Sequence, residues 1–166
     1  MMLVVIRNYF SILAPLTLIL CVGCVAGPPP KPTNEVQLRV SELVRKLVHR
    51  EITKIEISQI PRDIDTNAAV TPLQLRKEST YKLILHDGRF HLPRGFVEAL
   101  DSEVIHPSNI RREVRWGVDF YNLEGVHTGG LYLNSWGKFG FVDEIPVTVD
   151  GNFLAWLEQQ FGDCFK

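Results

Sequence analysis

VRWGVDFYNLEGVHTGGLYLNSWGKFGFV occupies residues 114–142 and decides the fold of this chain. The segment 112–142 that contains it predicts three consecutive antiparallel strands joined by two turns, NLEG and NSWG. Both turns begin with Asn and end with Gly, which suits a short hairpin loop that closes on a left-handed residue. We expect the remainder of the chain to cover and connect this meander.

Alternation along the meander assigns its two faces, because successive side chains of a strand point to opposite sides. Large apolar side chains share one face, which we expect to be core: Val114, Trp116, Val118, Phe120, Leu131 and Leu133. The opposite face carries a mixed set from the first two strands: Arg115, Asp119, Tyr121, Val126, Thr128 and Tyr132. A shift of one residue at either turn would exchange the faces of a strand.

Aromatic residues from all three strands form what we call the aromatic strip on the second face: Tyr121, Tyr132, Phe139 and Phe141, with Trp136 in the second turn. Glycines interleave with them, at positions 117, 130 and 140, and a glycine opposite a large ring leaves room for the ring to lie flat. An exposed aromatic patch binds peptides, glycans or partner proteins, so the strip is the candidate binding surface. The alternative is that helices cover both sheet faces and these rings form a second core layer.

Length and composition bound the class of protein. The chain has 166 residues, of which 45% are hydrophobic and 22% are charged, values typical of one globular domain with a short appendage. Its formal net charge is −1. A surface so nearly balanced offers no broad basic face, so we expect no nucleic-acid partner.

The N-terminal segment has the features of a bacterial export signal. Arg7 precedes Tyr9–Val22, fourteen residues of almost purely apolar character, which is the length of a signal-peptide apolar region and short for a membrane span. The following residues complete Cys21-Val22-Gly23-Cys24, which resembles the lipobox of bacterial prolipoproteins, with Cys21 where Leu is usual. The resemblance covers residues 1–24 alone.

This resemblance implies that residues 1–23 are a cleaved signal peptide and that Cys24 carries the lipid anchor. The chain would then sit in the cell envelope facing the periplasm, and Val25, not being Asp, favours the outer membrane. Two alternatives stay open. Cys24-Val25-Ala26 also fits ordinary secretion as a soluble protein, and the short apolar run disfavours an uncleaved anchor.

Beyond Cys24 the chain divides into a tether and a domain. Residues 24–33 are proline-rich, which predicts a semi-rigid extended tether. Residues 34–166 are expected to form a single domain. If Cys24 is acylated, Cys164 has no partner within the chain for a disulfide.

Periodicity and capping residues place the elements around the meander. Apolar residues at helical spacing predict a helix over 34–49, started by Thr33 or Asn34. Alternation predicts a strand over 52–58 and a hairpin over 81–92 that turns at Asp87-Gly88. Further predictions are a short helix from Thr71-Pro72 to about Glu78, one or two helical turns after Pro93, a connecting loop over Val104–Ile110, and a helix over 151–161 capped by Asp150. The fold class is therefore α+β: an antiparallel sheet of about five to six strands, with the N- and C-terminal helices packed on it.

Sequence motifs give little sign of catalysis or of a cofactor. There is no G-x-S-x-G elbow, no H-E-x-x-H and no glycine-rich phosphate loop. The segment 63–67 opens like a calcium loop, but the pattern fails at its sixth and twelfth positions. His86 and His91 would share a strand face with Arg89, which repels a cation, so we expect no metal site there.

Two functional hypotheses remain. The first is a non-enzymatic envelope lipoprotein whose domain binds another envelope protein, a peptide or a glycan, without a cofactor. The second is a small periplasmic hydrolase with a His/Asp site assembled from distant residues. It requires a pocket that contains at least two members of one set: His86, His91, His106, His127 and Asp119.

Overall fold

The computed structural model describes residues 34–66, 68–86 and 92–165, with the side chain of His86 excepted. The signal peptide, Cys24 and the tether that the sequence predicts lie outside the described residues. So do the Asp87-Gly88 turn, Arg89 and His91, so the hairpin and the histidine pair expected there stay predictions. Among the described residues, no helix is long and apolar enough to cross a membrane.

The described residues form an α+β domain around one antiparallel sheet of seven strands. In chain order the strands are β1 Ile52–Gln59, β2 Tyr81–His86, β3 Val104–Pro107, β4 Trp116–Asn122, β5 His127–Leu133, β6 Phe139–Val142 and β7 Ile145–Asp150. Their order across the sheet is β2-β1-β4-β5-β6-β7-β3, and every neighbouring pair is antiparallel. The predicted fold class and the meander β4-β5-β6 are confirmed, and the strand count is slightly higher than expected.

One unexpected strand, β3, lies where the sequence predicts a connecting loop. The predicted loop contains Pro107, whose missing backbone N–H disfavours a strand, but Pro107 is the last residue of β3 and pairs with Val147. β3 is the edge of the sheet, and proline is tolerated in an edge strand because one side of that strand needs no backbone donor. The prediction was wrong because the proline signal does not distinguish an edge strand from a loop.

Both meander turns form as their Asn and Gly residues predict. In the first, the side-chain Oδ1 of Asn122 accepts hydrogen bonds from the backbone N–H groups of Glu124 and Val126, at 3.1 and 2.9 Å. Gly125 follows with a left-handed φ of +75°. In the second, Asn134 accepts equivalent bonds at its side chain, and Gly137 has a φ of +69°. The asparagines therefore satisfy the donors of each loop, and the glycines supply its backbone conformation.

Four α-helices join the sheet among the described residues: α1 Glu35–Val48, α2 Pro72–Glu78, α3 Phe96–Asp101 and α4 Phe153–Phe161. A 3-10 turn, Gly162–Phe165, follows α4. Asn34 caps α1 by accepting from the Gln37 N–H at 2.6 Å, and Thr71 forms a capping box with Gln74 at the start of α2. These helices confirm the positions predicted from periodicity and caps.

The start of α4 corrects one prediction, since Asp150 does not cap it. The N-cap residue is Asn152, whose side chain makes no capping bond. Instead, the buried carboxylate of Glu103 accepts from the Phe153 N–H at 2.7 Å. Burial raises the pKa of Glu103, and the backbone N–H groups of Phe153 and Asn152 oppose that rise. A carboxylate distant in sequence thus stabilises the positive end of this helix.

The main core lies on the sheet face that α1, α3 and α4 cover. It contains the predicted core face of the meander, apart from Val114: Trp116, Val118, Phe120, Leu131 and Leu133. Val114 precedes β4 and packs in a separate cluster on the opposite side, which corrects its predicted place.

The second cluster buries part of the other sheet face, beneath α2 and the loop over residues 60–70. Its members are Ile60, Val70, Leu75, Val114, Tyr132 and Phe141. Arg115, only 7% exposed, holds the loop in place by donating to the backbone carbonyls of Pro61 and Ile64 at 3.2 and 2.8 Å. Both faces of the sheet therefore have a core, as the alternative interpretation of the aromatic strip requires.

The β3 edge is closed by two amide side chains at the start of α1, those of its N-cap residue Asn34 and of Gln37. The Ile105 N–H donates to Gln37 Oε1 at 2.8 Å, and the amide of Asn34 donates to the Ile105 carbonyl at 2.7 Å. Gln37 also donates to the carbonyl of Glu103 at 3.1 Å. Such contacts occupy backbone groups that would otherwise be open to pairing with another chain.

Candidate ligand-binding cleft

The aromatic strip is not a continuous surface, which corrects the expectation for two of its members. Tyr132 is fully buried and Phe141 is 5% exposed, both in the cluster beneath α2. Tyr121 and Phe139 are half-buried. Trp136, at the β5–β6 turn, is 74% exposed. Alternation placed the rings on one face correctly, but the cover supplied by α2 and its preceding loop leaves only part of that face in contact with solvent.

Tyr132 lies flat across two glycines of the sheet. A Cβ atom added at Gly117 would come within 2.9 Å of Tyr132 Cδ1, and one added at Gly130 would come within 2.7 Å of Tyr132 Cζ. Both distances are shorter than real Cβ contacts. Glycine at these positions therefore makes room for the ring, and the ring's hydroxyl reaches along the sheet to Asp119.

A β-bulge in β5 brings a histidine to the same place. The pairing Phe120↔Gly129 is followed by Tyr121↔His127, so Thr128 is an extra residue on its strand. A bulge reorients side chains relative to simple alternation. Alternation assigned Val126 and Thr128 to this face; the bulge instead directs His127 toward Asp119, and the Thr128 hydroxyl donates to the Phe120 carbonyl at 3.0 Å.

The carboxylate of Asp119 is the centre of the resulting network and is fully buried. Its Oδ1 accepts from the Tyr132 hydroxyl and lies 2.8 Å from Nε2 of His127 and 3.9 Å from Nε of Arg76. Because a carboxylate oxygen accepts, we assign the proton of the neutral imidazole to Nε2, which leaves Nδ1 as an acceptor. Burial, with Asp119 alongside, raises the pKa of Tyr132 far above its usual value, so its hydroxyl keeps its proton and donates.

A polar layer extends from this network over β1. The Tyr121 hydroxyl donates to Glu56 at 3.2 Å, and the Tyr121 ring contacts His127 edge-on at a centroid distance of 5.4 Å. Burial, followed by the charges of Asp119 and Glu56, raises the pKa of Tyr121 to about 12. Lys54 lies 4.2 Å above the ring and 2.7 Å from Glu56. The half-buried part of the aromatic strip is thus embedded among charged groups.

Beside the network is an open cleft of about 530 Å³, a volume within the range of small-molecule sites. It is lined by side chains and backbone from α1, the end of α2, the bulge and the β6–β7 turn: Arg39, Arg76, His127, Thr128, Gly129, Asp143, Glu144 and Ile145. Asp143 supports two walls at once, because its Oδ1 accepts from the Gly130 N–H at 2.9 Å and its Oδ2 lies 3.4 Å from Arg39.

Of the residues proposed for an assembled His/Asp site, the structure brings His127 and Asp119 together. His106 lies exposed on the edge strand β3 and does not line the cleft. The sequence did not single out Arg76. A predicted helix contained it, but its position opposite Asp119 follows from the packing of α2 on the sheet, for which the sequence carries no local signal.

The chain was compared with protein-family models, with curated proteins and with solved structures, and none of the three comparisons gave a match.

Proposed function

We propose that this chain is a lipid-anchored envelope protein with a non-enzymatic binding domain. The anchor is supported by the apolar run Tyr9–Val22 and the lipobox-like residues that end at Cys24. On this proposal, residues 1–23 are the signal peptide and residues 24–33 are the tether that carries the domain away from the membrane. The domain faces the periplasm from the outer membrane.

The observation that carries the binding role is the state of the polar groups around the cleft. Among the described residues that line it, two polar side chains hold the walls in place. The Thr128 hydroxyl is bonded to the Phe120 carbonyl, and Asp143 to the Gly130 N–H. Polar groups that are held in place around a preformed cleft can fix the orientation of a ligand or of part of a partner molecule.

Metabolic labelling tests the anchor. Cells fed an alkyne analogue of palmitate are expected to label the full chain, and Cys24→Ala is expected to lose the label, because the acylated residue is then absent. Cys164→Ala is the matched control and keeps the label. Label that persists in Cys24→Ala, or its absence from the unmodified chain, would overturn the anchor and favour ordinary secretion.

Photo-crosslinking tests the binding role. A photoreactive amino acid at Glu144, which is exposed and lines the cleft, is expected to give adducts in cells with the ligand or partner. The control places the same photoreactive amino acid at Gln159, which is exposed on α4 and is not part of the cleft lining. It is expected to give none of these adducts. Adducts are identified by intact mass and by gel mobility. No adduct at Glu144, or the same adducts at both positions, contradicts binding at the cleft.

A second candidate, a hydrolase, is favoured by one observation. The His127–Asp119 pair leaves Nδ1 of the ring as an acceptor beside the cleft, which is the arrangement of an oriented general base. No Ser or Cys side chain is among the described residues that line the cleft, and the Thr128 hydroxyl donates to the Phe120 carbonyl, so such an enzyme would activate water. A hydrolase would turn over a chromogenic ester and lose that activity in His127→Ala, whereas a binding domain turns over nothing in either form.

A further inference from the structure

The two guanidinium groups at the cleft differ in what they contact. Arg39 is engaged by two carboxylates, Glu35 at 2.9 Å and Asp143 at 3.4 Å. The side chain of Arg76 hydrogen-bonds to no acceptor in the part of the chain that the structure describes, and its Nε atom is buried without a partner. Its nearest carboxylate oxygen belongs to Asp119, at 3.9 Å from Nε, which is beyond hydrogen-bonding distance.

Arg76 is nevertheless held in place. Its guanidinium carbon lies 5.8 Å from the centroid of the Tyr132 ring, and Asp119 faces its Nε edge. The side chain is 27% exposed although Nε is buried, and it lines the cleft. Packing against a buried ring and a buried carboxylate restricts the rotamers of a long side chain, so less entropy is lost when it binds a ligand.

From these contacts we propose that the cleft binds an oxyanion of its ligand, a carboxylate or a phosphate, through the guanidinium of Arg76. This inference rests on the proposed binding function and names the chemistry that the cleft recognises. A guanidinium presents paired N–H donors whose spacing matches two oxygens of either group, and such bidentate bonds are among the strong polar contacts of proteins.

The charges around the cleft permit this assignment. The carboxylate of Asp143 is offset by Arg39. Asp119 is fully buried, accepts from Tyr132 and His127 at Oδ1, and is not among the residues that line the cleft. Glu144 lies exposed at the rim, where solvent and salt screen its repulsion of an anion.

Binding of simple anions by the full chain, purified in detergent, tests the proposal. Inorganic phosphate and succinate are added separately, with sodium chloride at equal ionic strength as reference, and affinity is measured by calorimetry and by the shift of the melting temperature. At least one of the two anions is expected to bind. Arg76→Lys keeps the positive charge but loses the paired N–H donors of the guanidinium, so the affinity of this variant for the anion is expected to fall about tenfold or more. Arg45→Gln, on the exposed face of α1, is the control and binds like the unmodified chain.

The outcomes separate the possibilities. Binding of phosphate alone assigns a phosphate-bearing ligand, and binding of succinate alone assigns a carboxylate. The proposal is overturned if neither anion binds, or if Arg76→Lys binds as tightly as the unmodified chain. Cross-linking at Glu144 in the absence of any anion binding would refute the oxyanion while leaving the binding function in place. If there is neither cross-linking at Glu144 nor binding of either anion, both the binding function and the oxyanion proposal are refuted.

Discussion

Replacing Asp119 with Ala is expected to lower the free energy of unfolding by about 3–5 kcal/mol, a cost typical of removing one partner from a buried charged network. The carboxylate is fully buried and accepts from the Tyr132 hydroxyl, while His127 and Arg76 approach the same oxygen. Without it, the Tyr132 hydroxyl and His127 Nε2 lose their acceptor, and Arg76 loses the neighbouring negative charge. Urea denaturation, with extrapolation to zero urea, measures the loss.

Two variants control this prediction. Asp119→Asn keeps an acceptor oxygen in the same position, so its loss should be smaller than that of Asp119→Ala. Asp101→Ala removes an exposed carboxylate at the end of α3 and should change stability by less than about 0.5 kcal/mol. A loss below about 1 kcal/mol in Asp119→Ala would show that the network does not stabilise the domain.

Gly130→Ala is expected to destabilise the domain by about 2–3 kcal/mol, as overpacking of a filled core does. The added Cβ would meet the Tyr132 hydroxyl and lie 2.7 Å from Cζ and 2.9 Å from Cε2 of the ring. The ring has to tilt away, and its bond to Asp119 is then lost. Denaturation curves measure this loss of stability. Tilting of the ring is also expected to shift Arg76, which packs on the same ring.

A double mutant tests whether the Tyr132 ring causes this loss of stability. In a Tyr132→Leu background the side chain that lies over Gly130 is smaller, so the loss of stability caused by Gly130→Ala should shrink by more than half. Gly162→Ala is the matched control: apart from its chain neighbours, no atom of the described residues lies within 4 Å of its added Cβ, and the change should be nearly neutral. Equal costs for Gly130→Ala in both backgrounds would exclude the ring as the cause.

Local signals predicted the elements that depend on neighbours in sequence. The cap at Asn34, the Thr71-Pro72 start of α2 and the Asn and Gly positions of both turns act within four or five residues. All the interacting residues lie within one short segment, so the sequence is sufficient to predict these caps and turns. The same holds for the glycines beneath Tyr132, because Gly130 lies two residues before it on the same strand and Gly117, its cross-strand neighbour, follows from the length of the turn.

Features that depend on distant contacts were not accessible in this way. Because of Pro107, the sequence predicts a loop where β3 lies, and β3 is a strand only through its pairing with β7. Alternation showed which face Tyr132 and Phe141 occupy but not that α2 and the loop fixed by Arg115 cover that face.

The candidate site shows the same limit. His127 reaches Asp119 because of a bulge that shifts the register by one residue, and the glycines at 129 and 130, a residue type that often marks a bulge, do not by themselves give its position. Arg76 joins them only after α2 packs on the sheet. The sequence supplied two members of the site as possibilities among five, and tertiary packing selected them and added the third.

The amide contacts at the β3 edge have a mechanical consequence. Any tension on the polypeptide that precedes residue 34 enters the domain at Asn34, whose side chain is bonded to the Ile105 carbonyl. Gln37 adds one further bond to Ile105 and one to the carbonyl of Glu103, the residue before β3. Force applied there passes directly into β3 and across its rungs with β7, so the sheet shares the load with α1. A domain held by one end of its chain would thereby resist unravelling from that end.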